Sequence, residues 1–255
     1  MDLERALDCF CAGFSYTRSH THKCVVDRTR LGRRMHDAPR KSGKCRIEEF
    51  VTSCLDADEV SADIASLDAE RFVVSAVRPV GVPEKPVKES FLNAGFRMLR
   101  SEPLMVRRLT DPPSTVTSPY RVAKVQSVLE VDAIAEFSRT RQILDADLHS
   151  ENPNLRLFAA WDGQYPTGWV RSVRADKDAT WVSNLFVQPD YRRKGIGSAL
   201  MTSMLQDDFD RGFEWSVLLA SNAGAQLYPN LGYQQIGILT MFMRTPKWFQ
   251  IHKKS

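Results

Sequence analysis

The fold of this chain is decided by the stretch Val182–Leu200, which reads VSNLFVQPDYRRKGIGSAL. The apolar run Val182–Val187 predicts a strand, and Gln188–Asp190 predicts the turn that ends it. A basic glycine loop, Arg192–Gly197, comes next, and residues 196–210 have the pattern of an amphipathic helix. A glycine loop that opens a helix presents unpaired backbone N–H groups, and the helix dipole adds partial positive charge there. The stretch therefore predicts a site for an anion such as a pyrophosphate.

Three known phosphate-binding patterns can be compared with this loop. The nucleotide P-loop needs a Lys-Ser/Thr pair after its second glycine, and none follows Gly197. The dinucleotide fingerprint needs a third glycine where this chain has Leu200. The pattern that fits is Arg/Gln-x-x-Gly-x-Gly/Ala after a strand ending Leu-x-Val-x-Pro, with Arg192, Gly195 and Gly197 at its positions. The segment resembles the coenzyme A pyrophosphate loop of the GNAT superfamily of acyl-CoA N-acyltransferases. A solvated basic turn before a helix is the alternative.

A second segment adds to this resemblance. The short apolar run Trp215–Ala220 predicts a strand buried on both faces. Residues 221–233 then resemble the second signature of the family, a helix that carries Leu-Tyr, followed by Gly-aromatic four residues on. The matching residues are Leu227, Tyr228, Gly232 and Tyr233. Two departures are visible, because Ser221 stands where many members carry Asn and Pro229 disfavours helical geometry at Tyr228.

The resemblance implies a function and a set of site residues. It implies direct transfer of an acetyl group from acetyl-CoA, as co-substrate, to a primary amine within a ternary complex. The sheet would separate after the strand Thr180–Val187, the Leu185 N–H would stabilise the oxyanion, and the Tyr228 phenol would protonate the leaving thiolate. Leu185 and Tyr228 are thus the expected catalytic residues. The expected cofactor-binding residues are Leu185, Phe186, Val187, Arg192, Arg193, Lys194, Gly195, Ile196, Gly197, Ser198 and Tyr228.

The sequence does not identify the general base or the acceptor. An acceptor ammonium must lose a proton, and members of the family differ in the base that they use. The candidates are Ser183, Asn184 and Glu214, and the cluster Asp145, Asp147, His149 and Glu151. Such a carboxylate cluster could hold a cationic amine, but a polar loop is the more common explanation for it.

The composition of residues 110–119 predicts a domain boundary. This segment holds three prolines and five hydroxyl residues, which is typical of a linker. We therefore expect a first domain over residues 1–110, a linker over 111–119, an acyltransferase domain over 120–246 and a basic tail over 247–255. The predicted elements of the second domain follow the order of a GNAT domain. They include a helix over residues 129–143 and two closing strands over residues 233–238 and 239–244. The resemblance covers residues 120–245.

The first half repeats the order of the second. Phe91–Phe96 echoes Tyr228–Tyr233 at an offset of 137 residues, and predicted strands and a helix precede both segments. Where the second half has its glycine loop, the first has Cys54–Glu59, with three carboxylates and no glycine. The sequence thus predicts an α/β fold, a mixed sheet flanked by helices, made of tandem GNAT-like domains of which the first is degenerate. An unrelated α+β domain is the alternative for the first half.

The composition of the chain disfavours several other classes of protein. The 255 residues are 43% apolar and 26% charged, and no run reaches the 18 to 20 apolar residues that cross a bilayer. We expect a cytoplasmic protein with no membrane partner. The five cysteines lie in the first 54 residues, and reduced thiols are favoured over disulfides. A metal site at Cys9, Cys11, His20, His22 and Cys24 is disfavoured, because on a helix Cys9 and Cys11 point about 200° apart.

A basic stretch lies within the first half. Residues 28–46 hold eight Lys and Arg against Asp37 alone, which is typical of a solvated hairpin or of a surface for an anionic partner. No aromatic residue lies between these cations, so we do not expect a nucleic-acid partner. Two alternatives to an enzyme remain open, a non-catalytic acyl-CoA sensor and a protein-interaction module. The acyl chain length and the oligomeric state are not predicted.

Overall fold

The computed structural model describes residues 1–41, 43–67, 69, 71–114, 116–221 and 224–244. The elements of the first half are α1 (Leu3–Arg18), β1 (Cys24–Arg28), β2 (Gly32–Asp37), β3 (Glu48–Thr52), α2 (Ala57–Ala65), β4 (Phe72–Pro79), α3 (Glu84–Asn93) and β5 (Phe96–Arg108). The elements of the second half are β6 (Arg121–Lys124), α4 (Val128–Ser138), α5 (Asp145–Leu148), β7 (Leu155–Asp162), β8 (Tyr165–Arg174), β9 (Ala179–Val187), a 3-10 turn (Pro189–Tyr191), α6 (Ile196–Asp210), β10 (Trp215–Leu219), a second 3-10 turn (Tyr228–Leu231) and β11 (Gln234–Arg244).

The two halves exchange their last strands within one sheet. The strand order is β1-β2-β3-β4-β11-β5-β10-β9-β8-β7-β6. The last strand of the second half, β11, thus pairs with β4, and the last strand of the first half, β5, pairs with β10. Both pairings are antiparallel, while β3–β4 and β9–β10 are parallel. The tandem α/β organisation predicted from the sequence is confirmed.

The register of the two central strands follows a pseudo-two-fold axis. At the 137-residue offset Glu102 and Leu239 are equivalent, and they pair with each other. The register shifts twice, once past Leu99 and once past Ile236, and these two residues are also equivalent. The repeat therefore extends to the irregularities of the strands. Each half therefore completes the sheet of the other. The division into separate domains that end at residue 110 and begin at residue 120 stays a prediction.

The first helix of the chain packs on a strand of the other half. Gly13 of α1 approaches β9 so closely that a Cβ there would lie 2.4 Å from the Cβ of Trp181. The rings of Phe10 and Trp181 are 5.1 Å apart, and both residues belong to the largest buried apolar cluster. Helix α6 covers the opposite face of the sheet of the second half. The sheet of the second half is therefore enclosed partly by the first half.

Three expectations about the elements are corrected. A helix is expected over residues 129–143, but α4 ends at Ser138 because Arg139 takes a left-handed conformation, with φ of 56°. The two closing strands expected over residues 233–244 form one long strand, β11. The expected helix at Tyr228 is a 3-10 turn, in keeping with Pro229. The expected basic tail, residues 247–255, lies outside the described residues.

The basic stretch forms a hairpin, but it is less solvated than expected. Arg33 on β2 is only 2% exposed, and it donates to Glu4 and Asp8 of α1 at 2.8 Å each. Arg46 and Arg40 both pair with the buried Asp37. These cations hold the hairpin to its own half of the molecule. No helix in the described ranges is long and apolar enough to cross a membrane.

Candidate functional site

The strands β9 and β10 separate partway along their length. They pair in parallel only from Ala179–Trp181 to Trp215–Val217. Beyond Trp181, β9 continues to Val187 on its other neighbour, β8, and its register with β8 shifts near Asn184, which has φ of 53°. Among the described residues no strand pairs with Leu185–Val187 on the β10 side. We call this opening the notch; it leaves backbone groups of β9 free for an extended ligand.

The basic glycine loop lies at the end of β9 next to the notch. Gly195 is the N-cap of α6 in a left-handed conformation, with φ of 76°, and it supplies no side chain to cap the helix. The first N–H groups of α6, from Ile196 to Ser198, therefore point out of the loop without helical partners. Arg192 donates from Nε to the Val187 carbonyl at 3.0 Å, which ties the loop to β9.

The loop presents positive charge to solvent. Residues 192–195 are exposed, and the Lys194 ammonium lies 5.0 Å from the centre of the Tyr191 ring. In the part of the chain that the structure describes, no carboxylate forms an ion pair with Arg192, Arg193 or Lys194. Three unpaired cations beside free helix N–H groups are suited to a polyphosphate.

Tyr228 lies behind the loop in the apolar cluster under α6. It is 5% exposed, its ring is 5.7 Å from that of Tyr233, and Leu185, Val187 and Leu227 pack against the same cluster. Burial raises the pKa of Tyr228 to about 12, so the phenol is protonated at neutral pH. No described residue accepts a hydrogen bond from this phenol.

The expected site residues thus lie in one region. A Cβ on Gly197 would be 3.5 Å from Leu227 and 3.9 Å from Val187, so the loop, the end of β9 and the segment before Tyr228 adjoin each other. The roles expected for these residues remain predictions. Their arrangement could accept a chain with phosphates at one end, lead it along β9 and place a protonated phenol near its other end.

A cavity of about 190 Å³ lies at the notch on the α1 side of the sheet. Ser183 and Asn184 of β9 and Leu219 of β10 line it from the second half. The first half supplies the remaining polar lining, which consists of Glu49 on β3 and Arg100 and Glu102 on β5. Sequence reasoning missed these three residues, because only the pairing of β5 with β10 and β11 brings β5 here.

Most of the candidate bases do not line the cavity. The buried Asp147 accepts from Tyr16 Oη at 2.6 Å and from the N–H groups of Asn154 and Leu155. Asp145 pairs with Arg141, and Glu214, His149 and Glu151 are exposed. Glu214 stands just before β10, at the paired end and away from the notch. Only Ser183 and Asn184 of the candidates line the cavity.

A half-buried cation behind Ser183 was also missed. Arg171 of β8 donates from Nη2 to Ser183 Oγ at 2.9 Å, and burial lowers the pKa of its guanidinium to about 10. Asn184 donates from Nδ2 to Gln142 Oε1 at 2.8 Å. These bonds fix the two polar side chains of β9 that face the cavity.

The cysteines show no metal-binding geometry. Across the described ranges no group of three or more His, Cys, Asp or Glu side chains could hold a metal ion. Burial raises the pKa of Cys9 to about 12 and that of Cys11 further, so both thiols of α1 stay protonated. They belong to the apolar core.

Comparison with known proteins assigns a family to the second half of the chain. Residues 122–233 match the model of the acetyltransferase (GNAT) family. The second half of the chain therefore contains a GNAT acetyltransferase domain. Over 64 residues the chain is 38% identical to the ribosomal protein bS18-alanine N-acetyltransferase of Escherichia coli strain K12. This alignment covers 24% of the chain and 43% of the relative, so the chain spans less than half the length of the curated relative.

Solved structures share the fold over more of the chain. A GCN5-related N-acetyltransferase from Kribbella flavida has a TM-score of 0.64 at 14% identity, covering 98% of this chain and 99% of its own. One from Sphaerobacter thermophilus has a TM-score of 0.58 at 15% identity, covering 83% of this chain and 76% of its own. At such identities the likeness shows the fold alone. It includes the first half, which the family model does not reach.

Proposed function

We propose that this chain is an N-acetyltransferase that transfers an acetyl group from acetyl-CoA to a primary amine by direct attack in a ternary complex. The observation that carries the proposal is the notch between β9 and β10 beside an exposed, uncapped and basic helix start. The GNAT domain matched by residues 122–233 supports it.

Acetyl-CoA would bind along the end of β9. Its pyrophosphate would meet the N–H groups of Ile196–Ser198 and the cations Arg192, Arg193 and Lys194. Its pantetheine arm would enter the notch and pair with the backbone of Leu185–Val187, much as an added strand does. The thioester would then lie beside the cavity.

The acceptor amine would attack the thioester carbonyl carbon directly. The C–N bond forms, the carbonyl oxygen takes the negative charge, and the Leu185 N–H stabilises this oxyanion. The nitrogen loses a proton to solvent, the C–S bond breaks, and the leaving thiolate takes a proton from Tyr228, which is then reprotonated from solvent. The buried phenol keeps its proton until the thiolate forms beside it, because burial raises the pKa of Tyr228 to about 12.

Calorimetry with acetyl-CoA tests this proposal. Gly195→Asp places a negative side chain in the loop, and we expect it to weaken binding at least about tenfold, by about 1.4 kcal/mol or more. Gly212→Asp is the matched control, since Gly212 has nearly the same φ, 77° against 76°, and equally open surroundings at the other end of α6. A folded wild-type protein that binds no acetyl-CoA would overturn the proposal, as would equal affinity in the two variants.

A non-catalytic acyl-CoA sensor is the second candidate. The observation in its favour is Tyr228, which lies buried in a 3-10 turn next to Pro229 rather than on the expected helix. A sensor would bind acetyl-CoA as an acetyltransferase does but would acetylate no amine. Turnover by the wild-type protein with a panel of small amines and an alanine peptide separates the two functions.

A further inference from the structure

We propose that the first half of the chain supplies the acceptor site: a small primary amine with an apolar substituent enters the cavity at the notch, and Glu102 and Glu49 bind its ammonium group. This proposal rests on the acetyltransferase function proposed above. It names the class of acceptor substrate and assigns the degenerate first half a role in binding that acceptor.

The cavity lies where an acceptor must approach. Asn184 on β9 and Leu219 on β10 line it from the two strands that bound the notch. An occupant would therefore lie beside the path proposed for the thioester. Two larger cavities lie elsewhere, one beside α1 and the β1–β2 hairpin and one between α6 and the segment before β6, and neither is lined by a notch residue.

Glu102 reaches the cavity through the exchange of strands. Glu102 sits at the pseudo-two-fold axis on β5, and only β10 separates β5 from β9. Glu49, on β3, lines the same cavity from farther along the sheet. At the 137-residue offset the equivalent of Glu102 is Leu239, which also lines the cavity, so the two halves offer a carboxylate and an apolar side chain.

Glu49 is a buried acid with a free oxygen. The residue is 5% exposed, and its Oε1 accepts from Ser75 Oγ at 2.6 Å. No described residue donates to its Oε2. Glu49 lines the cavity, so an ammonium group there would donate a hydrogen bond to this oxygen.

The charges around the cavity leave room for a cation. Arg100 is the cation nearest to Glu102, at 3.6 Å, and it is itself largely exposed. Arg18 also acts on Glu49, but its guanidinium donates to the Ile47 carbonyl and lies over the Phe14 ring. Burial raises the pKa of Glu49, and the neighbouring Glu102 adds to this. Bringing a positive charge into the cavity would stabilise the ionised form of Glu49.

The apolar side chains that line the rest of the cavity determine the size and polarity of the acceptor's substituent. This apolar lining has an aromatic part next to α1 and an aliphatic part. The aromatic residues are Phe10, Phe14 and Trp181, and the aliphatic ones are Leu239 and Met241. A volume of about 190 Å³ lies below the roughly 300 Å³ at which ligand pockets for drug-sized molecules begin. The cavity therefore suits a small arylalkyl or alkyl amine.

The reaction balances with these groups. The bound ammonium loses one proton to a carboxylate of the cavity, and the free amine attacks the carbonyl carbon. The second proton leaves the nitrogen as the amide forms, while Tyr228 protonates the thiolate and is reprotonated from solvent. The products are the N-acetylated amine, coenzyme A and one proton released to solvent.

Steady-state kinetics of the full chain with 2-phenylethylamine test the assignment. We expect Glu102→Gln and Glu49→Gln each to raise the KM for the amine at least about tenfold, with acetyl-CoA affinity within about twofold of wild type. Both substitutions keep side-chain size, and retained acetyl-CoA binding shows that each variant is folded. Glu59→Gln, at an exposed position of α2, is the control and should change neither constant.

The outcomes separate this proposal from the proposed function. If the wild-type protein acetylates the amine and both variants keep its KM, the acceptor assignment is overturned and the acetyltransferase function stands. Acetylation of an alanine peptide but not of 2-phenylethylamine would also overturn the assignment. If the wild-type protein binds no acetyl-CoA, the function fails and the acceptor site fails with it.

Discussion

The two halves of the molecule share an order of elements but differ at the junction that follows the parallel strand. In the second half, β9 and β10 pair over three residues and then separate. In the first half, β3 and β4 pair over five residues, to the end of β3. Only four residues join β3 to α2, whereas eight join β9 to α6. The second half therefore differs from the first both in a strand that leaves its neighbour and in a longer connection to the next helix.

The helix starts differ in the same way. The N–H groups of Asp58 and Glu59 donate to the Asp56 side chain, and the Ala57 N–H donates to Ser90 Oγ. In α6 the N-cap is Gly195, which has no side chain to offer. Two protein side chains thus take the donors of α2, while those of α6 have no side-chain cap. If the start of α6 binds the pyrophosphate as proposed, the absence of a side-chain cap is part of what makes the site.

Tyr228→Phe should have the largest effect, because it removes a side-chain difference between the two halves. At the 137-residue offset its equivalent is Phe91, which is fully buried and stacks on Phe242 at 4.2 Å. The variant gives the second half the residue of the first, and we expect kcat to fall about 10²- to 10⁴-fold because the thiolate loses its proton donor. Acetyl-CoA affinity should not change. Single-turnover kinetics measure the chemical step.

The control for this variant is Tyr165→Phe, which removes an exposed phenol from β8. It should keep the wild-type kcat. If Tyr228→Phe also keeps it while acetyl-CoA binds normally, the phenol is not the acid, and Tyr228 is a core aromatic residue like Phe91.

Elements formed by one short segment of this fold can be predicted from the sequence. The pairing of strands exchanged between the two halves cannot. The strand, loop and helix over residues 179–210 follow from apolar period and glycine placement within one short segment. The 137-residue echo predicts a repeat, but it does not state whether β5 pairs within its own half or with β10. Glu102 was missed for this reason, since 77 positions of sequence separate it from the start of β9, and Glu49 lies farther away still. Pro229 did signal the loss of helix at Tyr228.

Gly13→Ala tests how tightly the first half is held to the second. Alanine favours a helix over glycine by about 1 kcal/mol, but its Cβ would lie 2.4 Å from the Cβ of Trp181. We expect the clash to prevail and to lower the free energy of unfolding by about 1–3 kcal/mol. Urea denaturation measures the change. Unchanged or increased stability would show that α1 can move off β9, and the cavity beneath it would then not have a fixed shape.

Asp56→Ala should have the smallest effect on stability of the variants considered. It tests which feature of a helix start is needed to bind an anion. Loss of the cap should lower the free energy of unfolding by about 1 kcal/mol, since two N–H groups lose their acceptor. Asp58→Ala, at an exposed position of the same first turn, is the control and should cost less.

The same variant can be titrated with inorganic pyrophosphate in the Gly195→Asp background, where the loop of α6 is blocked. We expect no binding, because the start of α2 still has Asp58 and Glu59 in its first turn and no cation equivalent to Arg192 or Lys194. Binding that appears only when Asp56 is removed would show that the missing cap alone is sufficient. The basic side chains of the α6 loop would then serve to increase affinity rather than to create the site.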